Sequence, residues 1–339
     1  MYNRTEVKKY FDVLCNNDYP SFIEKYFNTE EMCRLKKIGQ FCGCDYNEFY
    51  DIKFWYSRFD HSVATALITW HLTKDKVQTL AALFHDLGTP AFSHCIDFML
   101  GDSVNQETSE QSVKDIISNS SNICSILISD DISIEDVCNV SKYPIVENKS
   151  PKLCVDRIEG VLSAVYIWLN AWPLEKIKQV YKEIDILNNE DNKSEIGFKD
   201  IFYGELFFEA VYEYSIALQS NEDKFTMQYI ADVIKKLIIS DKIIVEDLYR
   251  LGEAEIIEII KENEKTWDIF SKSTFLKRAN KEPKSSYFVS VESKKRYVIP
   301  LCKINDKPVR LDKVSVKTEK LLFKYKNFKD SKYSYIEEM

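Results

Sequence analysis

Apolar residues recur at helical spacing along most of the chain. In TEEMCRLKKIGQF, Met32, Leu35 and Ile38 fall three residues apart behind Thr29, Glu30 and Glu31, an acidic opening that suits a helix N-terminus. Gly39 and Gly43 then loosen the chain before the aromatic-rich NEFYDIKFWYSRF. A second helix is predicted over 57–72, with Val63, Leu67 and Trp70 placed for burial, and a third over 76–85, broken by Gly88 and Pro90. Short helices are predicted over 92–100, 107–117, 123–128 and 133–138. The stretch 153–172 is apolar over most of its surface and predicts a long buried helix, and Pro173 restarts the chain into LEKIKQVYKEI. The polar run NNEDNKSE at 188–195 marks an excursion or a boundary. Beyond it come paired amphipathic helices over 202–218 and 226–239, then short ones over 245–251 and 254–261.

The period changes after Lys281. YFVSVES, KRYVIPLCKI and KPVRLDKV alternate, carry β-branched residues and include an Asn-Asp turn, all of which favour strands. KTEKLLFKYK predicts a last helix that frays into a mobile tail. The expected class is mostly α: a helical bundle core, additional C-terminal helices and a small β-containing C-terminal segment. Three stretches follow: an N-terminal segment with the helical core (1–187), a helical extension packed on it (196–281) and a small α+β segment (282–339).

Composition narrows the function. Across 339 residues, 45% hydrophobic and 29% charged is ordinary for a globular chain with a sizeable core. Lys+Arg 46 against Asp+Glu 54 gives a net charge of −8, which supplies no broad basic surface, so nucleic acid is not an expected partner. A local positive pocket is still compatible with that average. The longest apolar runs, AALF and FYGELFF, fall far short of a bilayer span, so no membrane partner is expected. The opening MYNRTEVKKYFDV has no apolar export segment, and nine scattered cysteines predict reduced thiols and a cytoplasmic location.

The candidate chemistry lies in three places: Arg58 with His61, then His85-Asp86 with Thr89 and His94, then Asp156-Arg157. Adjacent helical side chains point about 100° apart, so His85 and Asp86 can share an ion only inside a cavity between helices. Asp156 would be costly to leave charged and unpaired in a buried helix. Two imidazoles and two carboxylates suit one borderline divalent ion (Fe, Mn, Co, Ni or Zn), with water or substrate oxygen completing the sphere. The residues alone also allow a plainer account, with His61 in packing, Asp86 bracing a turn and Asp156 paired with Arg157 or Arg58. His71, between Trp70 and Leu72, is assigned to packing, and Cys42-x-Cys44 lacks the partners of a metal knuckle.

The ordered blocks TEEMCRLKKIGQF, SRFDHSVATA, FHDLGTPAFSH and VDRIEGVL resemble HD-domain metal-dependent phosphohydrolases, more narrowly the deoxynucleoside triphosphate triphosphohydrolase-like branch. The likeness runs from about Thr29 to Arg310 and is weakest over 119–149 and around Asn188. It implies an HD-domain helical bundle in which His61, His85, Asp86 and Asp156 hold the metal, with Mg admissible at the substrate phosphates. It places Arg58 at the phosphate nearest the metal, Gln40 and Lys36 along the nucleotide pocket, and Arg157 toward the phosphates. His94 and Asp97 fall near the phosphates as the surviving proton-transfer pair, and Asp86 orients the attacking water. Two positions depart from the pattern: Thr89 and Ser109 stand where the branch carries histidines, with Thr89 still at a substrate-facing place.

The implied function is hydrolysis of a nucleotide or related phosphate ester by a metal-activated water, with dNTP triphosphohydrolysis as its narrower form. The alternatives are a catalytically reduced HD protein that binds nucleotide in a regulatory role, or an interaction module with a vestigial metal site. A homo-oligomer is implied as well. The lysine-rich stretch from Lys294 is expected to cover the pocket, to build a subunit contact or, equally, to be a solvated charged face.

Overall fold

Helix after helix begins at a residue able to cap it. The computed structural model describes residues 4–337 and 339. In it, the first part of the chain forms α1 (Arg4–Cys15), α2 (Glu30–Leu35), α3 (Arg58–Thr73), α4 (Lys76–Phe84) and α5 (Cys95–Met99). There follow α6 (Val113–Asn119), α7 (Ser121–Ser129), α8 (Ile134–Val137), α9 (Val155–Ser163) and α10 (Leu174–Tyr181). The second part forms α11 (Ile201–Ala217), α12 (Asn221–Ile239), α13 (Asp247–Arg250), α14 (Glu253–Asn263), α15 (Trp267–Lys272) and α16 (Val316–Lys326). The side chains of Ser57, Asp75, Ser112, Ser120, Asp200, Ser220 and Ser315 each take an otherwise orphaned amide at a helix start. At α3 the cap is reciprocal: Ser57 Oγ accepts the Asp60 amide at 3.2 Å, and Asp60 accepts the Ser57 amide at 3.0 Å.

About 51% of the chain is helical, with few and short strands, which is the mostly α class expected. The loop before α6 shows why one helix starts later than the predicted 107. Asp97 already accepts the amides of Thr108 and Ser109, and Asp102 those of Asn105 and Glu107. With those donors satisfied outside a helix, Ser112 becomes the cap and α6 begins at Val113. The predicted 153–172 helix runs as α9 and then widens into a π-helical turn, Ala164–Trp168, where the Leu169 amide reaches the Ala164 carbonyl at 2.8 Å.

The polar run at 188–195 is the tip of a hairpin, β1 (Ile184–Asn188) with β2 (Ser194–Phe198). Strands β4 (Leu301–Ile304) and β5 (Lys307–Arg310) turn at Asn305 and Asp306, both left-handed (φ 49° and 62°), as a tight hairpin requires. Gly197 and Phe198 pair in parallel with Leu301 and Cys302, giving one sheet of order β1-β2-β4-β5. Beneath it Arg310 meets the fully buried Glu195, Nη2 to Oε2 3.0 Å.

The stretch YFVSVES contributes only a bridge between Val289 and Ser334 rather than the strand predicted for it. The expected mobile tail is likewise corrected. After α16, β6 (Tyr333–Tyr335) pairs antiparallel with β3 (Lys277–Ala279), and Ile336 and Met339 are buried. Two apolar sites on the tail give it surface to bury, which outweighs the entropy of ordering it.

Two apolar clusters result. The larger joins α1, α3, α4, α9, α11 and the four-stranded sheet; the smaller joins α5, α12, α14, α15 and the tail. No described helix is long and apolar enough to cross a membrane.

Candidate metal and phosphate site

A cavity of about 800 Å³ opens between the two clusters, with Val161 and Val211 of the larger and Met227 of the smaller in its wall. A cluster of polar groups in its wall is built from α3, the end of α4 and α9. Twelve of the sixteen residues of α3 are buried, so His61, in its first turn, is fixed by packing on every side. His61 Nε2 lies 3.2 Å from His85 Nε2 and 3.1 Å from Asp156 Oδ1, with Asp86 Oδ2 at 3.8 Å. His85 Nε2 lies 3.7 Å from Asp86 and 3.6 Å from Asp156. His61, His85 and Asp86 group closely enough to hold one divalent cation, and Asp156 Oδ1 reaches both imidazoles beside them, so the residues present fit such an ion.

The imidazoles are oriented from behind. His85 Nδ1 donates to the Ala82 carbonyl at 2.7 Å, and His61 Nδ1 makes a short hydrogen bond to Glu159. Glu159 is fully buried and also accepts from Tyr56 Oη at 2.7 Å. These bonds turn both Nε2 lone pairs toward the shared centre.

The electrostatics fit the same reading. Burial alone would lower the His61 pKa, but the Glu159 charge and the hydrogen bonds to Asp156 and Glu159 raise it to about 10. His85 is raised as well, mainly by Asp86 and Asp156 against its burial. Burial would raise Asp86, yet the charges of His85, Arg58 and His61 hold it well below the usual carboxylate range. The carboxylates raise the proton affinity of both imidazoles, so a cation entering here competes with protons.

Around this centre sit the other residues nominated from the sequence. Arg58 Nη1 contacts Asp86 at 3.0 Å and its Nε donates to Ser93 Oγ at 3.1 Å. Thr89 does not line the cavity; it is buried, and its hydroxyl donates to Asp86 Oδ1 at 3.2 Å. Gln40 lines the cavity, and its Oε1 has no partner among the described residues. Arg157 lines it too, pairing with Glu147 at 3.1 Å and donating to the Lys152 carbonyl at 2.6 Å. Lys36 stays outside: its ammonium donates to the Phe27 carbonyl at 2.7 Å and lies over the Phe59 ring. His71 packs on Tyr181, away from the site.

His94 and Asp97 form a pair, Nδ1 to Oδ2 2.9 Å, and the opposite nitrogen of His94 faces Arg296 Nη2 at 3.2 Å. Burial lowers the His94 pKa; the Asp97 hydrogen bond opposes this, Arg296 and Arg58 add to it, and the value falls to about 4. Ser109 is buried and meets Asp97 through its backbone amide at 2.9 Å.

Several lining residues escaped the sequence reading. Glu159 carried a signal, since it stands three residues after Asp156 in a largely buried helix and so shares its face. Arg296 carried only its place in a basic run. Glu147, pushed up to about 7 by burial and the Asp156 charge against Arg157, and Asp223, pushed up to about 7 by burial, had no local signal. Glu147 and Cys154 lie near Asp156 as a second ligand-like group, but Arg157 already neutralises Glu147.

No protein-family model matches the chain. The uncharacterised protein YdhJ of Bacillus subtilis (strain 168) is 22% identical over 309 residues, 88% of this chain and 89% of its own length. A hypothetical protein of Aquifex aeolicus has a similar structure, with TM-score 0.61, 16% identity, and coverage of 94% of this chain and 92% of its own. A phosphohydrolase, BT4208, from Bacteroides thetaiotaomicron VPI-5482 superposes with TM-score 0.55, 13% identity, and coverage of 97% and 95%. The chain shares the fold of these two solved structures. At these identities the likeness speaks to architecture, and chemistry has to be argued from the site.

Proposed function

We propose that the chain is a metal-dependent phosphohydrolase acting on a nucleotide or related phosphate ester. The observation that carries this is the convergence of His61, His85, Asp86 and Asp156 beside Arg58 in the wall of a large cavity. The shared fold with a protein named as a phosphohydrolase supports it. A divalent ion held by those four residues would supply Lewis acidity to a phosphoryl oxygen and acidify water at neutral pH.

The chain's own groups divide the remaining work. Arg58 presents a guanidinium beside the centre to offset charge developing on phosphoryl oxygens. Asp86, kept ionised, both braces Arg58 and faces the centre. The same cavity is lined by Phe41, Trp168, Tyr214 and Tyr297, rings suited to a base or sugar. Cationic and aromatic groups in one cavity favour a nucleotide over a simple phosphate ester. The dNTP triphosphohydrolase form is the narrower version of the same proposal.

One observation favours the regulatory alternative. Thr89 and Ser109 face packing, and His94 has Arg296 at its outer nitrogen, so no side chain at those three positions offers a proton to a leaving group in this state. A nucleotide could therefore bind without rapid turnover.

The experiment is metal analysis of the purified protein coupled to release of phosphate, pyrophosphate and triphosphate from dNTPs, NTPs and monophosphates, with added Mn, Fe, Co, Ni or Mg. The His85→Ala/Asp86→Ala double variant is the blank. Stoichiometric metal with turnover lost in the blank supports the hydrolase; bound metal and nucleotide without turnover supports the regulator. A protein that takes up no metal ends both.

A further inference from the structure

The segment 293–298 has no regular secondary structure, yet it is tied down on several sides. Gln219 Nε2 donates to Ser293 Oγ and to the Lys294 carbonyl, both at 2.9 Å. The Lys294 amide reaches the Ser103 carbonyl at 3.1 Å, and the Ile299 amide reaches Pro151 at 2.8 Å. The strap therefore crosses the cavity as a held element, with Lys294, Lys295 and Arg296 in the wall.

Arg296 has unusual company. Its Nη2 donates to His94 Nε2 at 3.2 Å and to Gln106 Oε1 at 2.6 Å, and among the described residues no carboxylate pairs with it. Asp97 can only accept from His94 and a guanidinium can only donate to it, so both bonds are satisfied by the neutral imidazole with its proton on Nδ1. Asp97 is anchored in turn by the amides of Thr108 and Ser109. The chain of bonds ends on the guanidinium, which brings to the cavity wall a positive charge bonded to neutral groups alone.

That charge shares a cavity wall with Arg58. Arg58 binds Ser93 and Arg296 binds His94, the next residue, and both guanidinium charges act on the His94 imidazole. Arg58 is held in an ion pair with Asp86, whereas among the described residues Arg296 makes no ion pair and the more distant Asp223 carboxyl feels its charge. Two neighbouring guanidiniums, one at the metal-ligand cluster and one beyond it, form a receptor for two linked phosphoryl groups.

We infer that Arg296 recognises the second phosphoryl group of the substrate and thereby selects a phosphoric anhydride over a phosphomonoester, with His94 and Asp97 acting as its positioning residues. This rests on the phosphate-site reading above, and adds the residue that counts phosphates.

The test is calorimetric titration of the full chain, as purified, with inorganic tripolyphosphate and with orthophosphate, alongside turnover. Wild type binds tripolyphosphate more tightly. Arg296→Gln loses about 10- to 100-fold of that affinity, the scale of one charge-assisted hydrogen-bonding group, and the preference collapses. Arg296→Lys, which keeps the charge without the fork, falls between them and guards against a folding artefact. His94→Gln, whose amide can accept from Arg296 and donate to Asp97, retains most of the preference, whereas His94→Ala loses it. An Arg296→Gln protein that keeps the wild-type preference overturns the inference. So does a His94→Gln protein that binds normally but has lost turnover, since that marks His94 as a proton donor. A wild type that prefers tripolyphosphate yet hydrolyses nothing refutes the hydrolase reading alone.

Discussion

Replacing Glu159 with glutamine changes one buried atom and should weaken a metal site that it never touches. The carboxylate accepts the proton of His61 Nδ1 and that of Tyr56, and so commits the His61 Nε2 lone pair to the centre shared with His85 and Asp156. A glutamine can keep the Tyr56 bond through Oε1, but then presents an N–H to Nδ1. The imidazole must then move its proton to Nε2, into the space a cation would occupy, or leave a buried donor facing a donor. Loss of such a supporting carboxylate costs about 10- to 100-fold in metal affinity, which is about 1.4–2.7 kcal/mol. With metal at 100 times the wild-type Kd, wild type is stabilised by about 2.7 kcal/mol, and a variant weakened 30-fold by only about 0.9 kcal/mol. Urea unfolding with and without metal reads this difference directly, and metal content after dialysis against graded chelator gives the affinity. Tyr56→Phe is the control: it removes a donor to Glu159 without moving the His61 proton and should leave affinity nearly intact. A Glu159→Gln protein that binds and is stabilised by metal as wild type would refute the argument, and with it the role given to His61.

Other outcomes follow from the same geometry. Asp86→Ala leaves Arg58 buried without its partner and should cost about 3–5 kcal/mol in unfolding measurements, besides removing a ligand. A Cβ at Gly88 would stand 2.1 Å from the Gln111 carbonyl, a backbone atom that cannot yield cheaply, so Gly88→Ala should lower stability by about 1–3 kcal/mol and disturb the Ser109 contact. Gly160→Ala, with nothing within 4 Å, should not destabilise. Glu253, fully buried, has its pKa raised from 4.5 to about 7 by burial, against hydrogen bonds from Tyr46 and the Phe92 amide. Its raised folded pKa means the folded state holds the proton longer than the unfolded one, so stability falls as pH rises from about 4.5 to 7 and then levels. The span is roughly 3 kcal/mol, and Glu253→Gln should flatten it in urea melts taken across that range.

Local chemistry made much of this legible. Ser57 before a buried run, Asp75 before KVQTLAALF and Asn305-Asp306 between alternating segments specify helix starts and a turn through contacts only a few residues long. His61, His85, Asp86 and Asp156 could be nominated because such residues are rare in apolar helices and their spacing is visible. What distance along the chain conceals is who meets whom. The hairpin at 188–195 is completed by Leu301, the tail finds its strand partner at 277–279, and Arg296 reaches His94 from the far end of the chain. Lys36 and Thr89, equally polar and equally well placed in sequence, turn to the Phe27 carbonyl and to Asp86 instead of the cavity. Periodicity and capping are properties of neighbouring residues and can be read one segment at a time. Convergence of side chains is decided by how the two apolar clusters pack against each other, and that energy belongs to no single segment.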